Sequence, residues 1–341
     1  MSPPLRLRLD GDALAANWRW LAKQSGSAAC GAAIKADGYG LGARAVVERL
    51  AREGCRDFFV ATYAEVEDLG LLPDGCTLSV LHGPRAEDMR YAIESAARPV
   101  INSLEQATRW RDTGHPCDAM VDTGMNRLGL RPEELSALES LAVDTLMSHL
   151  ACADEDSPMN GQQRGAFIAL DTSARRRSLA NSAGICFGSD YAFDLTRPGL
   201  ALYGGVPRAE AVGHIAQVAF PEAQIVQRRV VPAGETIGYG ASWTATAPTE
   251  VAILNIGYAD GYLRSFAGVG AAGEGSLPLL GRVSMDLVAI DVTARATLRE
   301  GDWVGLDYDL PSAARASGLS QYELLTGLGD RFLREWRSAD R

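Results

Sequence analysis

Lysine is nearly missing from this chain. Lys23 and Lys35 are the only two in 341 residues, so 31 of the 33 basic residues are arginine. Any chemistry that needs an amine nucleophile has two candidates. Long apolar runs are missing as well: none approaches the ~18 residues of a membrane-crossing helix, so no membrane role is expected. The formal charge of −10 lacks the basic surplus of a nucleic-acid binder. The opening MSPPLRLRLDGDALAANW has no uninterrupted apolar core of a signal peptide, which makes the cytoplasm the expected location.

Cysteines 30, 55, 76, 117, 152 and 186 are scattered with no C-x-x-C pair. They read as buried reduced thiols, neither a zinc site nor a disulfide scaffold. His82, His115, His149 and His214 are equally dispersed, without an HExxH pattern, and no metal is expected. No G-x-G-x-x-G follows the first candidate strand, which weakens a dinucleotide-binding reading.

What is present is ordinary globular composition, 47% apolar and 22% charged. Apolar strands alternate with helical patterns: CGAAIK (30–35), DFFVAT (57–62), TLSVLH (77–82), RPVIN (98–102), DAMVDT (118–123), TLMSHL (145–150), SLANS (178–182) and LTRPGLALYG (195–204). Helical stretches such as 43–54, 86–96 and 103–114 lie between them, with Ser103 and Arg131-Pro132 as start signals and Gly54 and Gly114 as stop signals. Eight strand–helix units in roughly 200 residues predict an α/β fold, a (β/α)8 TIM barrel over residues 1–215. After about residue 215 the pattern turns to alternation, β-branched residues and Gly-rich turns, predicting a mostly β domain over 216–341. The first residues are an alternative partner for that domain. The segment QYELLTGLGDRFLREW reads as a helix and a less defined continuation.

Barrel enzymes work at the C-terminal ends of their strands. That rule collects Lys35, Asp122 to Arg127, His149, Asn181, Ser182 and Arg197. Lys35 closes an apolar strand, and desolvation there frees the neutral amine that forms Schiff bases. A lysine at a strand end is more often just a surface charge, but this one lies within an apolar run of an almost lysine-free chain. Ser182 and the Arg197-Pro198-Gly199 turn follow strands seven and eight, where barrels commonly bind phosphate. Each alone is ordinary turn chemistry. With Lys35 they suggest pyridoxal phosphate. His149 alone reads more readily as a hydrogen-bonded core histidine.

The run IKADGYGLG (34–42) resembles the pyridoxal-lysine signature of the alanine racemase family. VDTGMNRLGL (121–130), SHLACADE (148–155), NSAG (181–184), RPGLALYG (197–204), IGYADGYLR (256–264) and GRVSMD (281–286) follow in the expected order. The resemblance covers essentially the whole chain. It implies a barrel followed by a β domain, a head-to-tail homodimer with shared active sites, and alanine as the amino-acid substrate. By the same resemblance Lys35 holds pyridoxal 5′-phosphate covalently, while Tyr39, Ser182, Gly199 and Leu200 hold its phosphate. His149 lies beside the ring, and Arg197 faces the pyridine nitrogen. Arg127 reaches the cofactor phenolate and the substrate carboxylate, Tyr258 is the second base opposite Lys35, and Met285 and Asp286 line the substrate pocket. The implied role is supply of D-alanine for peptidoglycan.

Two positions depart from the family pattern. Where relatives often carry a lysine that is carbamylated and orients the arginine, this chain has Met120, so Arg127 must be positioned otherwise. Where some members set a tyrosine on the phosphate, the alignment puts Asp330, an acid that a phosphate would repel. No role is assigned to it. A racemase of serine or another small amino acid is an alternative, because one methylene or hydroxyl changes selectivity by only ~1–3 kcal/mol. A decarboxylase of basic amino acids is contradicted by the RPG turn, since such enzymes pair the ring nitrogen with a carboxylate. A non-catalytic pyridoxal-phosphate barrel protein is opposed by the β domain with its GYADGY run.

Overall fold

The computed structural model describes residues 3–337. They form two compact units. One holds Leu14–Leu202 with Val206–Ala216; the other holds Tyr203–Gly205 and the described residues up to Ala13 and from Gln217 onward.

In the first unit, short apolar runs become strands because their alternate residues fill a closed interior. Ala32–Ala33, Asp57–Val60, Thr77–Val80, Arg98–Ile101, Cys117–Met120, Val143–Met147 and Arg176–Ser178 pair side by side, all parallel. Leu195–Thr196 closes the ring, pairing parallel with Ala29–Cys30 on one side. On the other, the Arg197 N–H donates to the Ala180 carbonyl at 2.8 Å. This is the (β/α)8 barrel that the alternating pattern predicts. Phe59, Val100, Met120, Met147 and Leu195 pack together within it. The amino ends of the strands carry a polar belt. Arg98 pairs with Asp144 at 2.9 Å, Arg176 with Asp57 and Asp144 at 2.9 and 2.8 Å, and Ser79 donates to the buried Asp118 at 2.6 Å. That end of a barrel serves stability, leaving the carboxyl ends for chemistry.

Two sequence expectations are corrected here. The first strand does not run unbroken from 30 to 35. It divides at Gly31, where a Cβ would stand 2.7 Å from the Asp57 carbonyl. Lys35 lies past the strand and opens a helical turn, Lys35–Tyr39. The six cysteines are all free, but only Cys30, Cys55 and Cys117 are buried; Cys76, Cys152 and Cys186 are half-buried.

The caps follow the sequence more closely. Ser103 accepts the Gln106 N–H at the head of helix Leu104–Arg111, and Gly54, at φ 109°, ends helix Ala43–Glu53. Pro132 opens a short 3-10 helix, Pro132–Leu138.

The second unit is built on one sheet. Its order is Ala271–Ala272, Leu277–Leu280, Val288–Asp291, Thr249–Leu254, Ala219–Val231, Leu5–Asp10 and Leu333–Arg337, with Trp303–Gly305 added beside Ala219–Val231. Leu5–Asp10 reads LRLRLD, and the alternation is literal: Leu5, Leu7 and Leu9 are buried while Arg6 and Arg8 pair with Glu222. Burying each leucine contributes about 2 kcal/mol. The segment after helix Gln321–Thr326, left undefined by sequence, ends in the strand Leu333–Arg337. Among the described residues, no helix is long and apolar enough to cross a membrane.

Candidate active site

Lys35 is followed by a run of left-handed backbone: Ala36 (φ 53°, ψ 48°), Asp37 (φ 52°), Gly38 (φ 62°) and Tyr39 (φ 57°). Such a conformation costs roughly 1–2 kcal/mol for each non-glycine residue. Local hydrogen bonds offset part of that cost. Gly38 N–H donates to Ile34 O at 2.7 Å, Gly40 N–H to Ala36 O at 2.8 Å, and Ala43 N–H to the Asp37 carboxylate at 2.7 Å. The turn delivers the lysine amine into an electropositive setting. Burial, then Arg127 and Arg197, pull the Lys35 pKa down from 10.5, with Glu65 opposing them. His149 is driven further, to about 3, by burial and then by Arg197, Arg127 and Lys35. At neutral pH its imidazole carries no charge.

Arg197 is buried, with one guanidinium nitrogen on the Ser148 carbonyl at 2.6 Å and another on the Ser178 hydroxyl. Burial lowers its pKa to about 10, which leaves it a cation at neutral pH. Beside it, Ser182 Oγ accepts two backbone N–H groups, from Gly199 at 2.9 Å and Ala201 at 3.2 Å. A hydroxyl oxygen has two lone pairs, so Ser182 is left with its O–H to donate. Leu200 is buried and offers this spot only its backbone. A Cβ built on Gly199 would stand 2.2 Å from the Tyr39 hydroxyl oxygen, so only glycine admits that ring. Tyr39, Ser182 and Gly199, taken separately from the sequence, therefore meet at one place.

Met120 packs in the barrel interior, where no carbamate can form. The Arg127 loop is organised by another acid. Asp122 accepts N–H groups from Gly124 and Met125, both at 2.8 Å, and from Asn126 at 2.9 Å. Gly129 (φ 123°) lets the loop fold back, since a Cβ there would lie 2.7 Å from Asp122 N. An open recess of about 380 Å³ is lined by Asp122, Asn126, Arg127, Leu128, Arg131 and Pro132 among others.

In the second unit Tyr258 begins a short 3-10 turn, Tyr258–Asp260. Its N–H donates to Ser284 O, and that of Ala259 to Met285 O, each at 3.0 Å. Gly257 permits this approach, because a Cβ would fall 2.3 Å from Met285 O. Asp260 is fully buried and accepts two bonds from Arg331, at 2.6 and 2.8 Å. A third Arg331 nitrogen reaches Asp286 at 2.7 Å. The Asp286 carboxylate, expected in the substrate pocket, is thus engaged within its own unit. Met285 is 53% exposed. The Arg264 guanidinium carbon stands 5.1 Å from the centroid of the Tyr258 ring.

The electrostatics bring together Lys35, His149, Arg127 and Arg197, and the packing brings together Tyr39, Ser182 and Gly199. Tyr258, Met285 and Asp286 belong to the other unit. Sequence reading missed Glu65 and Arg331. Glu65 had a signal, the Thr62-x-x-Glu65 capping-box spacing; Arg331 had none, its partner Asp260 lying 71 residues away.

Comparison with known proteins adds a family match. Residues 9–207 match the family model of the alanine racemase N-terminal domain, and residues 218–336 that of the C-terminal domain. The alanine racemase of Rhizobium meliloti is 42% identical over 370 aligned positions, covering 98% of this chain and 97% of its own. Among solved structures, alanine racemase from Bartonella henselae with covalently bound pyridoxal phosphate superposes with a TM-score of 0.90, at 33% identity over 98% of this chain and 99% of that one. The biosynthetic alanine racemase of Pseudomonas aeruginosa gives 0.87, also at 33% identity, over the whole of both chains.

Proposed function

The chain belongs to the alanine racemase family, and from that premise we propose that it interconverts L- and D-alanine with pyridoxal phosphate, using Lys35 and Tyr258 as opposed bases. The observation that carries this reading is the gathering of Lys35, Arg127, Arg197 and His149 at one place, where burial and the two arginines pull the Lys35 pKa down.

The residues present fit the cofactor. Tyr39 and the O–H of Ser182, whose oxygen already accepts the Gly199 and Ala201 amides, suit a phosphate group, with the Leu200 amide beside them. Lys35 offers an amine whose proton is held less tightly than usual, as covalent attachment requires. His149 would line the ring, and Arg197 would face its nitrogen. Bound pyridoxal phosphate supplies an electron sink for the pair left at Cα when a proton departs. Lys35 takes or returns that proton on one face, serving the D-enantiomer, and Tyr258 does so on the other, serving the L-enantiomer. The Arg264 guanidinium packs against the Tyr258 ring and helps to hold its orientation. Arg197 cannot readily give up its own proton, so facing the ring nitrogen it would leave that nitrogen unprotonated. That keeps the sink weak and favours return of the proton over side reactions. Arg127 holds the substrate carboxylate, with Met285 and Asp286 bounding the pocket.

Each active site draws on two chains, in a homodimer. The unit carrying Tyr258 exposes Met285 (53%), Leu287 (40%) and Leu263 (37%), apolar area that a second copy would cover. The enzyme works in the cytoplasm and supplies D-alanine for peptidoglycan, in line with the biosynthetic relative in Pseudomonas. Complementation tests the shared site. Lys35→Ala and Tyr258→Phe chains, each nearly inactive, should regain activity on mixing, because a heterodimer has one intact site. Subunit exchange confirmed by mass without returning activity would place both bases in one chain. Racemisation of a panel of small L- and D-amino acids tests the preference for alanine.

A further inference from the structure

The left-handed turn after Lys35 is tied to the next strand by one carboxylate. Glu65 Oε1 accepts the Ala36 N–H at 2.6 Å, while Oε2 accepts those of Ala61 at 2.5 Å and Thr62 at 3.0 Å. Glu65 belongs to helix Tyr63–Leu69, whose N-cap is Thr62. That helix follows strand Asp57–Val60, and Phe59 O accepts the Ile34 N–H at 2.8 Å on the near side of Lys35. The lysine is therefore bracketed: the residue before it hangs on the strand, and the residue after it hangs on Glu65.

We propose that Glu65 is a positioning residue for the Lys35 amine, pinning the left-handed turn through Ala36 and setting a negative charge against the arginines that face the lysine. The charged and titratable groups facing Lys35 are Arg127 and Arg197, which disfavour its protonated form, Glu65, which favours it, and His149, with which it interacts. Removing the Glu65 charge leaves that balance to the two arginines. The inference rests on Lys35 being the cofactor lysine, but it concerns the amine itself and can be read without the cofactor.

The near absence of lysine makes the experiment direct. In the full chain with Lys23→Arg, stripped of cofactor by hydroxylamine, Lys35 is the only lysine, so reductive ¹³C-methylation labels just Lys35 and the N-terminal amine, and Lys35→Ala identifies which signal is the lysine's. Two readouts follow: its titration midpoint and the hydrogen-exchange protection of the Ala36 amide. Glu65→Gln should lower the midpoint and reduce the protection, whereas a helix cap without this role would leave the lysine titration where it was. Either readout unmoved overturns the proposal. Glu65→Asp keeps the charge but shortens its reach. It should lose Ala36 protection while its midpoint stays closer to wild type than that of Glu65→Gln, and a midpoint as low as the Gln variant's also overturns it. Failure of the cofactor reading would look different: Lys35→Ala chains would still take up pyridoxal phosphate covalently, whatever Glu65 does.

Discussion

In the barrel, Lys35, His149 and Arg197 are ionisable groups drawn out of water, and each bears on the protonation of another. In the β unit, Tyr258 is half-buried on a loop fixed by backbone contacts through Gly257 and by the Arg331 clamp. The first region tunes its groups by desolvation and crowded positive charge, which needs a closed interior. The second holds its group still and presents it outward. On the proposed shared site, a base working over another chain's barrel would gain little from burial in its own unit. The contrast shows why one domain reads as chemistry and the other as a platform.

The contrast breaks hardest at Lys35. Lys35→Ala should abolish covalent cofactor attachment and lower kcat by on the order of 10⁴; Lys23→Ala should change neither. Visible absorbance of the purified protein and a chiral assay check both. Next comes Arg197→Glu, which replaces a fixed cation with a group able to share a proton. Racemisation should slow by about 10²-fold and the transaminated share of product should rise. Unchanged partitioning would take Arg197 away from the ring. On the β side, Arg331→Ala leaves the buried Asp260 without its partner. It should cost about 2 kcal/mol in urea unfolding, discounted because Arg331 is half exposed, and roughly tenfold in kcat/KM. An equal loss from Arg331→Lys would show that the bidentate geometry, and not the charge, holds Tyr258.

The last effect is confined to acid stability. His149 has a folded pKa of about 3 against an ordinary 6.5. Between those values the unfolded chain binds the extra proton, so His149 makes stability fall as pH drops from 6.5 toward 3 and contributes no such loss above 6.5. His149→Asn should flatten that part of the profile, measured by thermal unfolding against pH. A steeper profile in the variant would refute the neutral imidazole.

Much of the barrel was legible because its strands are short apolar runs between capped helices, and motif order placed Lys35, Arg127, His149, Ser182 and Arg197. The local path after Lys35 was not. Ala-Asp-Gly-Tyr carries no strong signal for four left-handed residues; a carboxylate 30 positions after Lys35 and the hydrogen bond of Asp37 to Ala43 impose them. The split at Gly31 is equally non-local, set by the approach of the Asp57 carbonyl. Asp286 was named for the pocket through its motif, GRVSMD, which carries no signal for what engages its carboxylate. Its tie to Arg331 joins segments 45 residues apart, beyond the reach of any periodicity.

The strand Leu5–Asp10 sits in the sheet between Ala219–Val231 and Leu333–Arg337. On the ribosome it is made before every other strand described here, yet the first of its neighbours emerges some 200 residues later and the second only with the last strand. Its alternating arginines then act as a guard, since a charged edge resists pairing with foreign chains while it waits. Closing so wide a loop carries an entropic cost that local contacts do not repay. The barrel, whose strands pair with near neighbours in sequence, can form during synthesis. The β unit that carries Tyr258 depends instead on pairings across far longer stretches of chain.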